Sequence, residues 1–493
     1  MYILKNLGYI SLLLLAACKV GPNFHTPIPP NVGQYTENKL PLKTVKTNVA
    51  GGESQYLHPQ EEIPLLWWEL FQTQEINELI RRGFANNPTL AAATAALREA
   101  QENVKISIGN LLWPAFNAVG SFERQRYSLA QLGNRFENLP DAITYNLFYA
   151  AVNVSYTLDV WGGARREIES LRAQVDYQQF QVIAAYLTLA TNIVTTSISI
   201  ASFKAQIEAT QELIKAQANL YQILKKQFNV GGVSKADVLT QLTLLEQTKA
   251  NLPPLERDLS LAKHTLTTLV GTFPEEQLPV LKLDAIKLPR DIPLSVPSRL
   301  VRQRPDVRAA EASMHAACAQ IGVATANLLP QVTINGSYGW ISNAFSDLFT
   351  GKNVVWDILS QVSQPLFHGG ALLAQRRAAI AAYQEVEGKY RHVVLTAFQN
   401  VADVLNTLET DAEALRAQAN AVDAAGSALA LTMGQYRLGG VSYINLLNVQ
   451  QQYHQARINL IKAQASRFRD TATLFQALGG GWWHKPWCVK ECL

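Results

Sequence analysis

The chain of 493 residues is poor in the groups that run catalysis or hold metals, with four cysteines, three methionines and eight histidines. The histidines are scattered, and there is no His-Glu-x-x-His pair, no phosphate loop with its lysine and no Gly-x-Ser-x-Gly elbow. His315 and Cys318 stand one helical turn apart, but two ligands are too few for a zinc site, and a packed helix face accounts for them as well. Gly479-Gly480-Gly481 reads as a chain-end loop, not a phosphate cradle. No enzyme activity, cofactor or resident metal is expected. Charged residues make up only 17% and the net charge of +4 is spread along the chain, so no basic stripe marks a nucleic-acid partner. Beyond the N-terminal segment no run of about 18 apolar residues occurs, so no membrane-spanning helix is expected. Proline is missing from 164–230 and again from 371–438.

What is present is a duplication. Gln227-Phe228-Asn229-Val230-Gly231-Gly232-Val233-Ser234 returns as Gln435-Tyr436-Arg437-Leu438-Gly439-Gly440-Val441-Ser442, an offset of about 208 residues. Asn251-Leu252 returns as Asn459-Leu460 in the same register. Trp161-Gly162-Gly163 answers His368-Gly369-Gly370, and Leu112-Trp113-Pro114 answers Leu328-Leu329-Pro330. A period this long makes each copy domain-sized, so the chain is a doubled half-structure and not a solenoid.

The N-terminus has one lysine (Lys5), a short apolar run and then Leu15-Ala16-Ala17-Cys18. That is the order of a secretory signal, and a cysteine directly after small residues resembles a bacterial lipobox, which implies lipidation of Cys18. The alternative is an ordinary signal with an incidental cysteine. Lys19 follows where an aspartate would resemble an inner-membrane retention signal, which favours the outer membrane. In an oxidising periplasm Cys488 and Cys492 are close enough in sequence to pair, although a bridge at the chain end would staple little.

Each proline-free stretch has apolar residues at helical spacing and reads as one helix of roughly 67 residues, about 100 Å long. Segments 85–112 and 301–329 read as helices of about 28 residues, and 233–270 and 441–478 as helices of about 38. Their sum is about 66, so two short helices stacked end to end would run antiparallel beside each long one. The Gly231-Gly232 and Gly439-Gly440 turns would be the hairpin tips. A helical rod without a core is the alternative that helix pattern alone leaves open.

Between helices the period changes to two. Val332, Ile334, Tyr338 and Trp340 alternate with Gln331, Thr333, Asn335 and Ser337, and the even positions from Phe148 to Leu158 face away from Asn153, Ser155, Thr157 and Asp159. Trp356, Ile358 and Val362, and Phe116, Val119 and Phe122, mark two further strands less cleanly. Ten-residue alternating segments with aromatics near the ends fit a transmembrane β-barrel, and half-buried strands of a soluble sheet look similar. Four strands cannot close a barrel. Two copies would give eight strands with a filled interior, and three would give twelve with room for a pore.

The motifs Cys18-Lys19-Val20-Gly21-Pro22-Asn23-Phe24, Leu158-Asp159-Val160-Trp161-Gly162-Gly163, Arg302-Gln303-Arg304-Pro305-Asp306-Val307-Arg308-Ala309-Ala310-Glu311-Ala312, Ile321-Gly322-Val323-Ala324, Gln364-Pro365-Leu366-Phe367, Ala397-Phe398-Gln399-Asn400-Val401-Ala402-Asp403 and Leu478-Gly479-Gly480-Gly481-Trp482 resemble those of the TolC-like outer membrane efflux proteins, lipoprotein (NodT-type) branch. The resemblance spans residues 18–482. It implies a mainly α fold with a transmembrane β-barrel part: a homotrimer with a 12-stranded barrel, four strands per chain, continued by an antiparallel α-helical tunnel. Such a channel is the passive exit duct of a tripartite efflux system for drugs or toxic solutes. Its partners are a periplasmic adaptor at the Gly231, Gly232, Gly439 and Gly440 tips and an inner-membrane pump. A duct for type I protein secretion and a non-conducting envelope-spanning lipoprotein are the alternatives. The expected organisation is a signal peptide at 1–17, an N-terminal periplasmic segment at 18–84 and a first repeat at 85–270 with strands near 115–160. An equatorial linker at 271–300, a second repeat at 301–478 with strands near 330–366, and a tail at 479–493 complete it, with 274–297 and the tail forming a belt.

The resemblance also implies an aperture just beyond the Gly turns, lined by Asn445 and Asn448 where relatives carry acidic residues. An aspartate of the first hairpin matches Asp237 and a tyrosine of the second matches Tyr436. Val441 stands where some relatives have an arginine, so the polar latch is partly missing. The bland alternative is that Asn445 and Asn448 are surface residues near a turn.

Overall fold

The computed structural model describes residues 19–37, 41–128 and 142–484; the signal-like segment with Cys18, and Cys488 with Cys492, lie outside them. In chain order the main elements are β1 (Tyr56–Pro59), α1 (Gln74–Asn86), α2 (Pro88–Leu112), β2 (Ala115–Ser128), β3 (Ala142–Leu158), α3 (Gly163–Asn229), α4 (Lys235–Ala250) and α5 (Leu252–Val270). They continue with β4 (Asp291–Leu294), α6 (Pro297–Gln303), α7 (Pro305–Ala326), β5 (Gln331–Ser342), β6 (Val354–Ser363), α8 (Ala371–Arg437) and α9 (Tyr443–Ala477). The two proline-free stretches are the two longest helices, 67 residues each.

Prolines set the breaks, and at three places they divide what length alone suggests as single helices. Asn87 and Arg304 both turn extended before a proline, with ψ of 120° and 124°, because the proline ring disfavours the helical region for the residue it follows. The helices expected at 85–112 and 301–329 therefore begin at Pro88 and Pro305, each preceded by a separate helix. The expected helix at 233–270 is also two, meeting at Asn251. Pro253 and Pro254 lack the N–H groups that would continue the ladder there. The second repeat has no prolines at this point, and α9 runs unbroken for 35 residues.

The chain forms two compact units, each drawing on both repeats. The first comprises Met1–Thr26, Leu97–Tyr177 and Ala310–Tyr390. Its centre is an antiparallel sheet of order β2-β3-β5-β6. The register runs without a bulge from Ala115↔Ser155 to Ser128↔Ala142, from Phe148↔Ser342 to Leu158↔Val332, and from Gln331↔Ser363 to Trp340↔Val354. One face collects Phe116, Phe122, Phe148, Val152, Val154, Leu158, Val332, Ile334, Tyr338, Trp356, Ile358 and Val362, because side chains two apart share a face. The other collects Asn117, Ser121, Asn153, Ser155, Thr157, Thr333, Asn335 and Asp357. Val119, which the sequence pattern groups with Phe116 and Phe122, lies on this polar face opposite Ala151. The first two strands also run longer than ten residues, at 14 and 17. An aromatic cluster closes one end of the apolar face: Phe122 with Phe148 at 4.7 Å, Phe148 with Phe345 at 5.7 Å and Trp340 with Phe349 at 5.4 Å.

The second unit comprises Pro27–Ala96, Gln178–Ala309 and Arg391–Leu493. The belt expected at 274–297 takes in the N-terminal segment as well, since β1 pairs parallel with β4, Tyr56 opposite Asp291. Its core stacks Trp67 on Phe475 at 5.3 Å, with Phe71 edge-on to Trp67, and also buries Ile193 and Ile198. Gly83 lets α1 press on α3, where a Cβ would stand 2.6 Å from Ile193 Cδ1. α3 also contains an 18-residue window of mean hydropathy 1.4, long and apolar enough by composition to cross a membrane, against the expectation of none; half of that window is buried within the chain.

A half-buried carboxyl marks the second unit. Asp411 of α8 lies near Asp470 of α9 and near the fully buried Arg467. Arg467 donates to Thr44 Oγ1 at 2.8 Å and to the Glu53 carbonyl at 2.9 Å. Burial first, and then Asp470, push the Asp411 carboxyl up to about 7 against the opposing pull of Arg467 and Arg469. A carboxyl that binds its proton more tightly folded than unfolded stabilises the fold at acid pH and loses that contribution as pH rises through about 7. Asp411→Asn copies the protonated form, so its melting temperature should exceed wild type by several degrees near pH 8 and differ little below about pH 3.8, where the carboxyl is protonated folded and unfolded alike. Thermal unfolding followed by circular dichroism at both pH values checks this; a lower melting point near pH 8 would mean that the ionised carboxylate is the stabilising form.

Candidate functional site

In the first unit, the residues after Cys18 form a strap. Val20 N–H donates to the Trp161 carbonyl at 3.1 Å, just beyond the end of β3. Arg166, 1% exposed, holds the strap with its guanidinium: Nε donates to the Val20 carbonyl at 3.1 Å and Nη2 to Asn23 Oδ1 at 2.8 Å. Nη1 pairs with Glu169 at 3.0 Å, and Glu169 also meets Lys19 Nζ at 2.8 Å and His315 Nε2 at 3.2 Å. Burial works to raise the Glu169 carboxyl, but Lys19, His315 and Arg166 together hold it below its ordinary value. Gly21 (φ +86°) passes so close to Gly322 that a Cβ would stand 2.5 Å from Gly322 Cα. His315 stacks on Phe24 at 4.6 Å and Cys318 Sγ lies 3.8 Å from the Pro22 carbonyl, so this pair packs against the strap. Asp159 caps α3, accepting from Ala164 N–H at 3.0 Å and Arg165 N–H at 3.1 Å.

In the second unit, the two Gly-Gly turns have the same backbone. Gly231 and Gly439 are left-handed, with φ of +76° and +78°. Gly232 N–H donates to the Gln227 carbonyl, and Gly440 N–H to the Gln435 carbonyl, each at 2.8 Å. These bonds, with those from Gly231 to Phe228 and from Gly439 to Tyr436, close a Schellman turn at each tip. Only the first glycine of each pair needs the left-handed region.

The side chains around the turns differ. Asp237 is the third residue of α4 and forms a capping box with Ser234: Ser234 N–H donates to Asp237 Oδ2 at 3.1 Å, and Asp237 N–H donates to Ser234 Oγ at 3.2 Å. Its repeat counterpart is Asn445 on α9, where the Ser442 side chain makes no cap bond. Tyr436 and Asp237 are close enough that the carboxylate adds to burial in raising the phenol above its ordinary range. Tyr436 packs instead on Tyr443 (rings 5.8 Å apart) in a cluster with Leu224, Leu244 and Leu447. The Tyr443 hydroxyl donates to Gln241 Oε1, and Gln241 Nε2 donates to the Gln217 carbonyl at 2.9 Å, joining the two hairpins through a buried polar bond. Sequence reading misses Tyr443 and Gln241, because partners 202 positions apart leave no local pattern. Asn445 and Asn448 are both exposed, on the side of α9 away from buried Leu446, Leu447 and Gln450.

Two other motifs that carry the resemblance serve the fold. Arg304 donates to the Ala477 carbonyl at the end of α9 (3.0 Å) and pairs with Asp306 at 2.7 Å. Gly479, Gly480 and Gly481 all have positive φ, and Trp482 Nε1 donates to the Gln303 carbonyl at 2.7 Å. Among the described residues no cluster of three or more His, Cys, Asp or Glu is arranged to hold a metal.

Comparison with known proteins bears on this arrangement as a whole. The profile of the outer membrane efflux protein family matches residues 79–272 and 296–480. The chain is 30% identical to the pyoverdine export outer membrane protein OpmQ of Pseudomonas putida, over 95% of this chain and 96% of that protein. It is 28% identical to the probable efflux pump outer membrane protein TtgC of the same species, over 97% of this chain and 95% of that protein. The solved structure of the outer-membrane channel OprN superposes with a TM-score of 0.83 at 23% identity, covering 94% of this chain and all of that one.

The turn geometry separates two neighbouring glycines. Gly439→Val puts a β-branched residue at φ +78°, a strain of about 1–3 kcal/mol. Gly440→Val has no such φ, and its Cβ would meet the Gln435 carbonyl oxygen at an ordinary 3.5 Å. Thermal melting and efflux-dependent drug tolerance should fall with the first and stay near wild type with the second. Equal losses at both positions would mean that the left-handed backbone at Gly439 is not what limits the turn.

Proposed function

Since this chain belongs to the outer membrane efflux protein family, it is an outer-membrane efflux channel, and we propose that three copies assemble it. Each copy contributes four strands to a 12-stranded barrel and its long helices to a tunnel. The carrying observation is the sheet's two-faced register. Its apolar side extends from Phe148 to Leu158, about 34 Å along the strand. Tilted about 40°, that is near the apolar band of about 25 Å on outer-membrane barrels. The polar side then lines the lumen. Both outer strands, β2 and β6, need partners from other copies. A path for solutes favours three copies over two, because an eight-stranded barrel is filled by its own side chains.

In this reading Cys18 carries the lipid, which the strap supports by ending beside the sheet. The hairpin tips meet a periplasmic adaptor bound to an inner-membrane pump. Val230 and Leu438, 84% and 89% exposed at equivalent places in the two turns, offer apolar surface for that contact. Asn445 and Asn448, with Asp237 and Tyr436 nearby, line the aperture. The relatives' names specify different cargoes: pyoverdine for OpmQ, toluene for a TtgC of Pseudomonas putida and cations for CusC of Escherichia coli. That variety supports a duct that does not select, passing small solutes chosen by the pump.

The reading is tested in planar bilayers, where purified protein should give discrete conductance steps; silence, even with the aperture substituted, would favour a structural lipoprotein. Cys18→Ser should lose its acyl chains yet remain trimeric in the membrane, because a lipid chain is a marginal anchor beside a barrel. Finding that variant soluble in the periplasm would defeat the barrel. The aperture assignment has its own test. Asn445→Asp with Asn448→Asp would gather carboxylates that repel and recruit a multivalent cation. Cobalt hexammine should therefore block the double variant at least tenfold more strongly than wild type, and equal block would remove these asparagines from the constriction.

A further inference from the structure

The apolar face of the sheet changes character abruptly at one end. Even-numbered positions of β2 share that face, and after Phe116, Ala118, Gly120 and Phe122 come Arg124 and Arg126. Their partners across the ladder change at the same level, from Phe148 to Asn146 and Thr144. The register has no bulge, so both arginines leave the sheet on the side of the apolar band and not on the polar side. This is the hairpin end of β2 and β3, opposite the end where α2 leads into β2 and β3 leads into α3. β5 has already ended, with Ser342 opposite Phe148.

The depth is informative. The arginines lie two and four residues beyond Phe122, about 7 and 14 Å along the strand. With a tilt of about 40° these become roughly 5 and 10 Å beyond the aromatic cluster of Phe122, Phe148 and Phe345, at and just above the depth of a headgroup layer. Both side chains are exposed and have no acidic partner among the described residues. The acid between them in sequence, Glu123, points to the polar face by parity, opposite Leu147. Two arginines whose backbone positions lie about 7 Å apart on one face, with an asparagine and a threonine across the ladder, present donors and no acidic acceptor. Guanidinium groups bind phosphate oxygens in a bidentate fork.

We infer that Arg124, Arg126, Asn146 and Thr144 form a binding site for the phosphorylated headgroup of a lipid in the outer leaflet. The inference rests on the barrel reading above, since only there does this face meet lipid. A headgroup bearing phosphate on a sugar would use the guanidinium groups for its phosphate and the Asn146 and Thr144 side chains for its hydroxyls. The acyl chains would descend along the band below Phe122, where Ala118, Gly120 and Ala150 leave the surface low.

The test uses the full-length acylated protein in detergent micelles, with diphosphoryl lipid A titrated in and bound lipid counted by native mass spectrometry. Wild type should bind it at least tenfold more tightly than Arg124→Gln with Arg126→Gln, the two proteins having the same trimer content and conductance. Lipid A stripped of its phosphates should bind both proteins equally and weakly. Millimolar inorganic phosphate should not displace the lipid; displacement would make the site one for a free anion and overturn the assignment to a lipid. Equal lipid A binding by wild type and the double variant would mean that the arginines merely reach for water, and would also overturn it. Insertion of wild type into vesicles is measured in parallel: failure to insert defeats the barrel reading, whereas insertion without arginine-dependent lipid binding defeats this inference alone.

Discussion

An amide in hydrocarbon has no water to bond, and each one left unpaired costs several kcal/mol. A four-stranded sheet with one apolar face carries that liability along two edges. Here the edges belong to β2, whose 14 residues are all exposed in the single chain, and to β6. The strand directions alternate through β2, β3, β5 and β6, so β6 of one copy and β2 of the next would also run antiparallel. The contact is heterologous and repeats until the ring closes. The duplication follows from the same constraint, because each repeat supplies one hairpin and neither hairpin has two satisfied edges.

The two repeats keep their backbones and change their side chains. The Schellman turns at Gly231 and Gly439 match bond for bond. Around them Asp237 is replaced by Asn445, so one hairpin keeps a capping box and the other does not. Tyr443 stands where the first repeat has Lys235, and it reaches back to Gln241 to join the hairpins. The prolines that split α4 from α5 have no counterpart in α9. Backbone equivalence is what lets a tube be lined by similar parts, and side-chain divergence is what makes neighbouring parts fit each other and not themselves.

Much of this was legible in sequence because it depends on period. The absence of proline gave the two 67-residue helices to within a residue, and strict alternation placed Val332, Ile334, Tyr338 and Trp340 on one face of β5. Val119 was misassigned because an apolar residue on a lumen-facing position breaks the alternation. Length alone suggests one helix over 233–270, whereas the local chemistry of Pro253 and Pro254 decides the break at Asn251. The family resemblance pointed to Asp237 and Tyr436 but not to what they do here, which is to cap α4 and to pack on Tyr443. Arg166 was invisible as a clamp, since its partners Val20 and Asn23 lie more than 140 positions away.

The strap held by Arg166 changes what a lipid at Cys18 would be. On a flexible linker an anchor is a leash: its free end explores a volume that grows with tether length, and attachment is repaid only partly against that freedom. Here the residue next to the cysteine is already fixed, with Lys19 paired to Glu169 and Val20 bonded to Trp161. The tether is one residue long. An acyl chain on Cys18 would start one residue from Lys19, whose position the fold sets, so its local concentration at the foot of the sheet would be high and little entropy would remain to lose. The lipid would then act less as a mooring line than as a dowel, setting the depth and rotation at which the sheet meets its bilayer.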